Sequence, residues 1–138
     1  MRRHLAIFTP QAVKEIFAGR KTIETRFSNK RLVPFGQVSK GDVVFIKPSG
    51  QEISGQFIVK KVLFFEGLDQ TDFEIIKKAY GKDLSFGSME QDVSYFKNKE
   101  SAQFGTVIFI DRVERFITSP LKVPKSNRRG WVVLPLSN

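Results

Sequence analysis

Apolar residues fall in short runs along the chain, and the spacing inside each run changes from one segment to the next. Leu5 to Phe8 is an apolar run of strand length, read as an opening strand. Thr9 then offers an N-cap oxygen and Pro10 a preset φ, after which Ala12, Val13, Ile16 and Phe17 share one helical stripe that stops at Gly19. Phe8 is placed to staple onto Val13. Alternation takes over next. Ile23, Thr25 and Phe27 fall on one strand face and Thr22, Glu24 and Arg26 on the other. The stretch from Ser28 to Lys40 is polar, basic and broken by Pro34 and Gly36, so it reads as a loop anchored by Leu32, Val33 and Phe35.

A turn over Ser39-Lys40-Gly41-Asp42 leads into the apolar strand Val43 to Ile46, which ends at Lys47-Pro48. Beyond Gly50 comes a longer strand near Gln56 to Phe65, close enough in sequence to pair antiparallel with its predecessor. Two acidic helices follow, each opened by capping-box spacing. The first starts at Thr71-Asp72-Phe73-Glu74 and stops at Gly81; the second starts at Ser88-Met89-Glu90-Gln91 and carries Val93, Tyr95 and Phe96. Gly105 to Val113 and Trp131 to Leu134 complete the strands. The pattern predicts an α+β fold: a small mixed β-barrel of five to six strands, with a short N-terminal helix and two inserted helices.

Length and composition narrow the classes. The chain has 138 residues, one domain's worth, and no repeat or linker divides residues 1–138. It has no cysteine and one histidine, His4, read as an ordinary residue near the terminus, so no metal site or cofactor is expected. The apolar runs are strand-sized, which excludes a membrane-spanning helix and points to a cytoplasmic protein, expected to be a monomer. Charge adds more. The formal net charge is +9, and it is unevenly spread. Arg20, Lys21, Arg26, Lys30 and Arg31 crowd one segment against Glu24, while Lys122, Lys125, Arg128 and Arg129 crowd another with no acid between them. Such segregation suits a polyanionic partner.

The chemistry converges on Gly19-Arg20-Lys21-Thr22-Ile23-Glu24-Thr25-Arg26. Glu24 and Arg26 are same-face neighbours, and Lys21, at the helix-to-strand turn, can swing to their side. As chemistry alone, this is either a salt bridge beside an exposed lysine or the start of a site. The eight residues match GxKxxExR and resemble the motif of the ASCH family. That resemblance implies a PUA-like barrel, with RNA binding or processing in many members. Some relatives look like hydrolases that remove an acetyl group from a modified cytidine and carry GxKTxTxR; here Lys21 and Thr22 fit and Glu24 stands where the second threonine would be. The separate glutamate of those enzymes is sought at Glu52 or Glu66.

A lysine between Arg26 and Glu24 is pulled both ways in its titration, and the default is a charged ammonium suited to a phosphate or a carbonyl. Ribonuclease chemistry would fall to Lys21, Glu24 and Tyr95. In the second basic segment Ser126, Arg128 and Arg129 offer phosphate contacts, Gly130 allows close approach, and Trp131 is either a core residue or a stacking platform for an unpaired base. Lys47 is expected at the same mouth. The reading that results is an RNA-binding module whose cleft takes single-stranded RNA or a modified base through Arg20, Lys21, Arg26, Lys47, Ser126, Arg128, Arg129 and Trp131. Its alternatives are a metal-independent hydrolase of RNA or of a modified nucleoside, and a protein-interaction domain.

Overall fold

The computed structural model describes residues 1–84, 102–121 and 130–135. In chain order the elements are β1 (Arg3–Phe8), α1 (Pro10–Phe17), β2 (Ile23–Ser28), β3 (Val43–Pro48), β4 (Gly55–Glu66), α2 (Gln70–Leu84), β5 (Phe104–Arg115) and β6 (Trp131–Val133). The six strands form one mixed sheet in the order β2-β5-β4-β3-β1-β6, curled into a half-barrel. β1 and β3 run parallel, and every other pair is antiparallel.

Local chemistry explains most of the boundaries. The Thr9 hydroxyl accepts from the Ala12 N–H at 3.1 Å, Pro10 opens α1, and Gly19 leaves the helix at φ 79°. α2 begins earlier than its sequence spacing predicts. Asp69 caps it, accepting from the Asp72 N–H at 2.8 Å, while the Asp72 carboxylate accepts from the Asp69 N–H at 3.0 Å. The reciprocal box is therefore built from two aspartates, and Thr71 lies inside the helix. The helix also continues past Gly81 to Leu84, because Gly81 keeps helical torsions. The second acidic helix expected over Ser88–Phe96 lies outside the described residues.

Two apolar layers position the site. Inside the half-barrel Ala6, Phe8, Val44, Ile46, Phe57 and Ile108 meet Val13 and Ile16 of α1, with Trp131 closing the cluster. On the other side α2 lays Phe73 and Ile76 against Ile23 and Phe27 of β2 and Val107 of β5. β2 is thus an edge strand of the sheet with α2 packed against one of its faces. Both its faces are covered over its first residues, which is why Glu24 is buried while Arg26 and Ser28, further along, are half-buried.

Candidate functional site

Three backbone hydrogen bonds carry the chain from α1 into β2. The N–H groups of Arg20 and Lys21 both reach the Glu15 carbonyl at 3.0 Å, and the Thr22 N–H donates to the Asp83 carbonyl at the end of α2 at 2.9 Å. This pinned exit turns Lys21 inward. Its residue is 1% exposed, and Nζ lies 3.3 Å from Glu24 Oε1. The other Glu24 oxygen accepts from Arg26 Nη2 at 3.1 Å, and Oε1 also takes the Thr25 N–H at 3.0 Å. Burial pushes the Glu24 carboxyl up, but the Lys21 and Arg26 charges, with the Lys21 and Thr25 hydrogen bonds, more than reverse this, and the group stays ionised below the usual carboxylate range.

Lys21, Glu24 and Arg26 come together as expected, although as a buried triad rather than a surface bridge. That changes their roles. Lys21 is enclosed and holds Glu24; Glu24 orients Arg26. Arg26 alone of the three reaches solvent, with a side chain 23% exposed. Its guanidinium also donates to the Ile7 carbonyl at 2.9 Å and the Gly130 carbonyl at 3.1 Å, and lies 5.1 Å from the Phe8 ring centroid and 5.4 Å from that of Trp131. β2 and β6 are the two edges of the sheet and are not paired by their backbones. Arg26 reaches across that seam to the residue before β6.

A groove of about 730 Å³ opens along the seam. Arg26, Phe27 and Ser28 line one side, Leu32 to Phe35 another, and Phe104 and Gly130 to Val133 the rest. Leu32 and Val33 were expected to anchor their loop; both are exposed at its rim. Phe35 does anchor, edge-on to Phe64 and Phe104 at 5.4 and 5.2 Å, with the Arg31 guanidinium 4.9 Å from its centroid.

The remaining expected residues divide. Arg20 sits at the helix exit with its guanidinium on the Glu15 carboxylate, outside the groove lining. Lys47 is buried, 2% exposed, because β3 runs on through Pro48 and Lys47 is registered inside the ladder opposite Ile7. It is not a solvated lysine at a strand end. Trp131 is 3% exposed and belongs to the core; its indole N–H donates to His4 Nδ1 at 3.1 Å, so it is not a free stacking platform. Tyr95, Ser126, Arg128 and Arg129 lie outside the described residues. Glu52 is exposed, and Glu66 is paired on the surface with Arg31 at 2.8 Å.

His4 is the residue that sequence reasoning missed. Far from being a loose terminal side chain, it is completely buried, with Nε2 2.8 Å from Asp42 Oδ2. Because an indole N–H can only donate, Nδ1 must accept, which leaves Nε2 as the protonated nitrogen that donates to Asp42. Asp42 also takes the N–H groups of Arg2 and Ser39, each at 2.9 Å. Burial raises this carboxyl, and those backbone bonds with His4 bring it below its ordinary value. The signal was available: His4 stands beside the apolar run that forms β1. Among the described residues no group of three or more His, Asp or Glu side chains is placed to hold a metal ion.

An ASCH protein from Zymomonas mobilis superposes with a TM-score of 0.67, at 17% identity, over 96% of this chain and 87% of the other. A point variant of it gives 0.68 at 16%, over 98% and 91%. The fold is the ASCH fold. An Enterococcus faecalis protein described by the family model DUF984 shares it less closely, with a TM-score of 0.58 at 9% identity over 88% of this chain and 87% of that one. No family model and no curated protein matches the sequence. The ASCH fold is PUA-like, in agreement with the small mixed barrel expected from the strand pattern. Among the described residues no helix is long and apolar enough to cross a membrane.

Proposed function

We propose that this ASCH-fold chain is an RNA-binding module that takes single-stranded RNA, or one modified base of it, into the groove beside Arg26. The observation that carries this reading is the fixed guanidinium. Three oxygens and two aromatic faces hold Arg26 at the wall of the groove, so little side-chain entropy remains to be lost on binding. The partly exposed rings of Phe35 and Phe104 stand on the same wall system and provide the faces on which an unstacked base packs. The groove is made by a single chain, so a monomer suffices.

A second reading, hydrolysis of RNA or of an acetylated nucleoside, is favoured by one observation, the buried Lys21–Glu24 pair. A low-dielectric lysine beside a carboxylate is a familiar catalytic arrangement. It is the weaker reading because Lys21 is enclosed and absent from the lining of the groove.

The test is incubation of the protein with a labelled single-stranded RNA pool and, separately, with acetylcytidine, scoring retention and turnover. Binding should fall with salt, with a slope of about −0.7 per phosphate contacted. Phe35→Ala should weaken it by roughly 5- to 150-fold, the value of one stacked base. Retention of RNA that Phe35→Ala leaves unchanged would refute the groove as the site. Turnover of acetylcytidine that disappears in folded Lys21→Ala would favour the hydrolase, and neither retention nor turnover would favour a protein-interaction domain.

A further inference from the structure

Four of the five basic residues of the helix-to-strand segment are engaged by three carboxylates in the fold: Arg20 by Glu15, Lys21 and Arg26 by the single Glu24, Arg31 by Glu66. Cations without such partners collect elsewhere. A groove of about 760 Å³ is lined by Lys40, Lys60, Lys61 and Arg112, with Asp111 as its one carboxylate among the described residues. Among those residues none of the four cations is in an ion pair.

The backbone is distorted to put them there. Along the β4–β5 ladder, Val59 pairs with Ile110 and Lys61 with Phe109, so Lys60 is an extra residue on β4. Three residues earlier, Gln56 pairs with Glu114 and Ile58 with Asp111, which leaves the extra residue on β5 at Arg112 or Val113. Each bulge re-aims its strand. Arg112 sits at φ 46°, the one non-glycine residue with positive φ among those described. An arginine held in the left-handed region at a bulge, where glycine would be unstrained, is the kind of local strain that accompanies function. Lys40 is fixed beside them because the Gly41 N–H donates to the Val59 carbonyl at 2.8 Å.

We infer that this groove is a separate binding site for the phosphodiester backbone of duplex nucleic acid. It has no aromatic side chain among its described lining residues, so it offers nothing for an unstacked base to pack on. Lys61 keeps its ammonium 5.3 Å from the Phe109 ring centroid, and Asp111 Oδ1 is occupied by the Arg112 N–H at 3.0 Å. What remains is an array of point charges and one guanidinium, which recognises phosphates independently of sequence. The site does not depend on the groove beside Arg26.

The experiment is an anisotropy titration with two blunt duplexes of identical sequence, one RNA and one DNA, neither having an unpaired base, at several salt concentrations. Wild type is compared with Lys60→Gln/Lys61→Gln and with Arg112→Gly. Each removed cation should lower the salt slope by about 0.9 and weaken binding, in both arms or in the one that names the natural source. Arg112→Gly should do so while keeping or raising the melting temperature, since glycine relieves the backbone. No duplex binding by wild type, or binding whose slope survives all three changes, overturns the assignment. Single-stranded binding lost on Phe35→Ala with duplex binding intact would separate the two grooves.

Discussion

Glu24 shows how much a single residue's meaning depends on what covers it. Its place beside Arg26 follows from strand alternation, and the reach of Lys21 from the turn, so the contacts of the triad could be read from eight letters. Burial could not. It arises because the exit of α1 is tied to the end of α2 and because β2 is covered on both faces. Glu24→Gln keeps the shape and removes the charge, leaving Lys21 short of its carboxylate. At neutral pH this should cost about 3 kcal/mol of unfolding free energy, the lower end for breaking a buried pair. The ionised carboxylate stabilises the fold fully above its unfolded pKa of about 4.3. Because the folded value lies lower, that contribution is lost as pH falls through it. The difference between wild type and Glu24→Gln in urea unfolding should therefore shrink as the medium is taken below about pH 4; a gap that is constant or widens would rule out an ionised Glu24. His4 is a parallel case. His4→Phe leaves the Trp131 indole N–H without its acceptor and Asp42 Oδ2 with only the Ser39 N–H of its two donors, and should destabilise by about 1–3 kcal/mol, with a changed tryptophan emission.

Element boundaries were legible where a short-range rule decides them. Thr9-Pro10 sets the start of α1, and every strand lies within a few residues of its apolar run. The start of α2 was not, because Thr71 and Glu74 imitate a capping box that the chain builds two residues earlier from Asp69 and Asp72. The two alternatives differ in outcome. Asp69→Ala should lower stability by about 1 kcal/mol, and Thr71→Ala, at an exposed helical position, should change it by only a few tenths. Thermal unfolding of the two variants decides between them; equal losses would contradict the observed cap. Bulges were not legible at all. The runs of β4 and β5 read as uninterrupted strands, and their register depends on each other. The same holds for Lys47, whose burial follows from a parallel pairing with β1 that the turn at Pro48 does not announce.

At the scale of the whole molecule, charge counted along the chain and charge in space are different quantities. The first basic segment is partly offset by Glu15, Glu24 and Glu66, two of them outside that segment. The sheet keeps two ungirdled edges, and Arg26 spans the seam between them while forming part of the wall of the groove that runs along it. Under the proposed function, stability and recognition meet in one guanidinium. Arg26→Ala should loosen the seam as well as weaken binding, whereas Phe35→Ala spares the seam's hydrogen bonds but removes the anchor of its own loop, so its binding loss is read beside its melting temperature.

Single-stranded RNA is proposed to lie in the groove beside Arg26. A short single-stranded RNA carrying one photoreactive uridine, crosslinked to the protein and mapped by mass spectrometry, tests it directly. Crosslinks at Phe35, Phe104 or the Gly130–Val133 peptide are predicted, and they should vanish in Phe35→Ala. Crosslinks confined to the outer faces of α1 and α2, or their absence at concentrations that saturate binding, would contradict it.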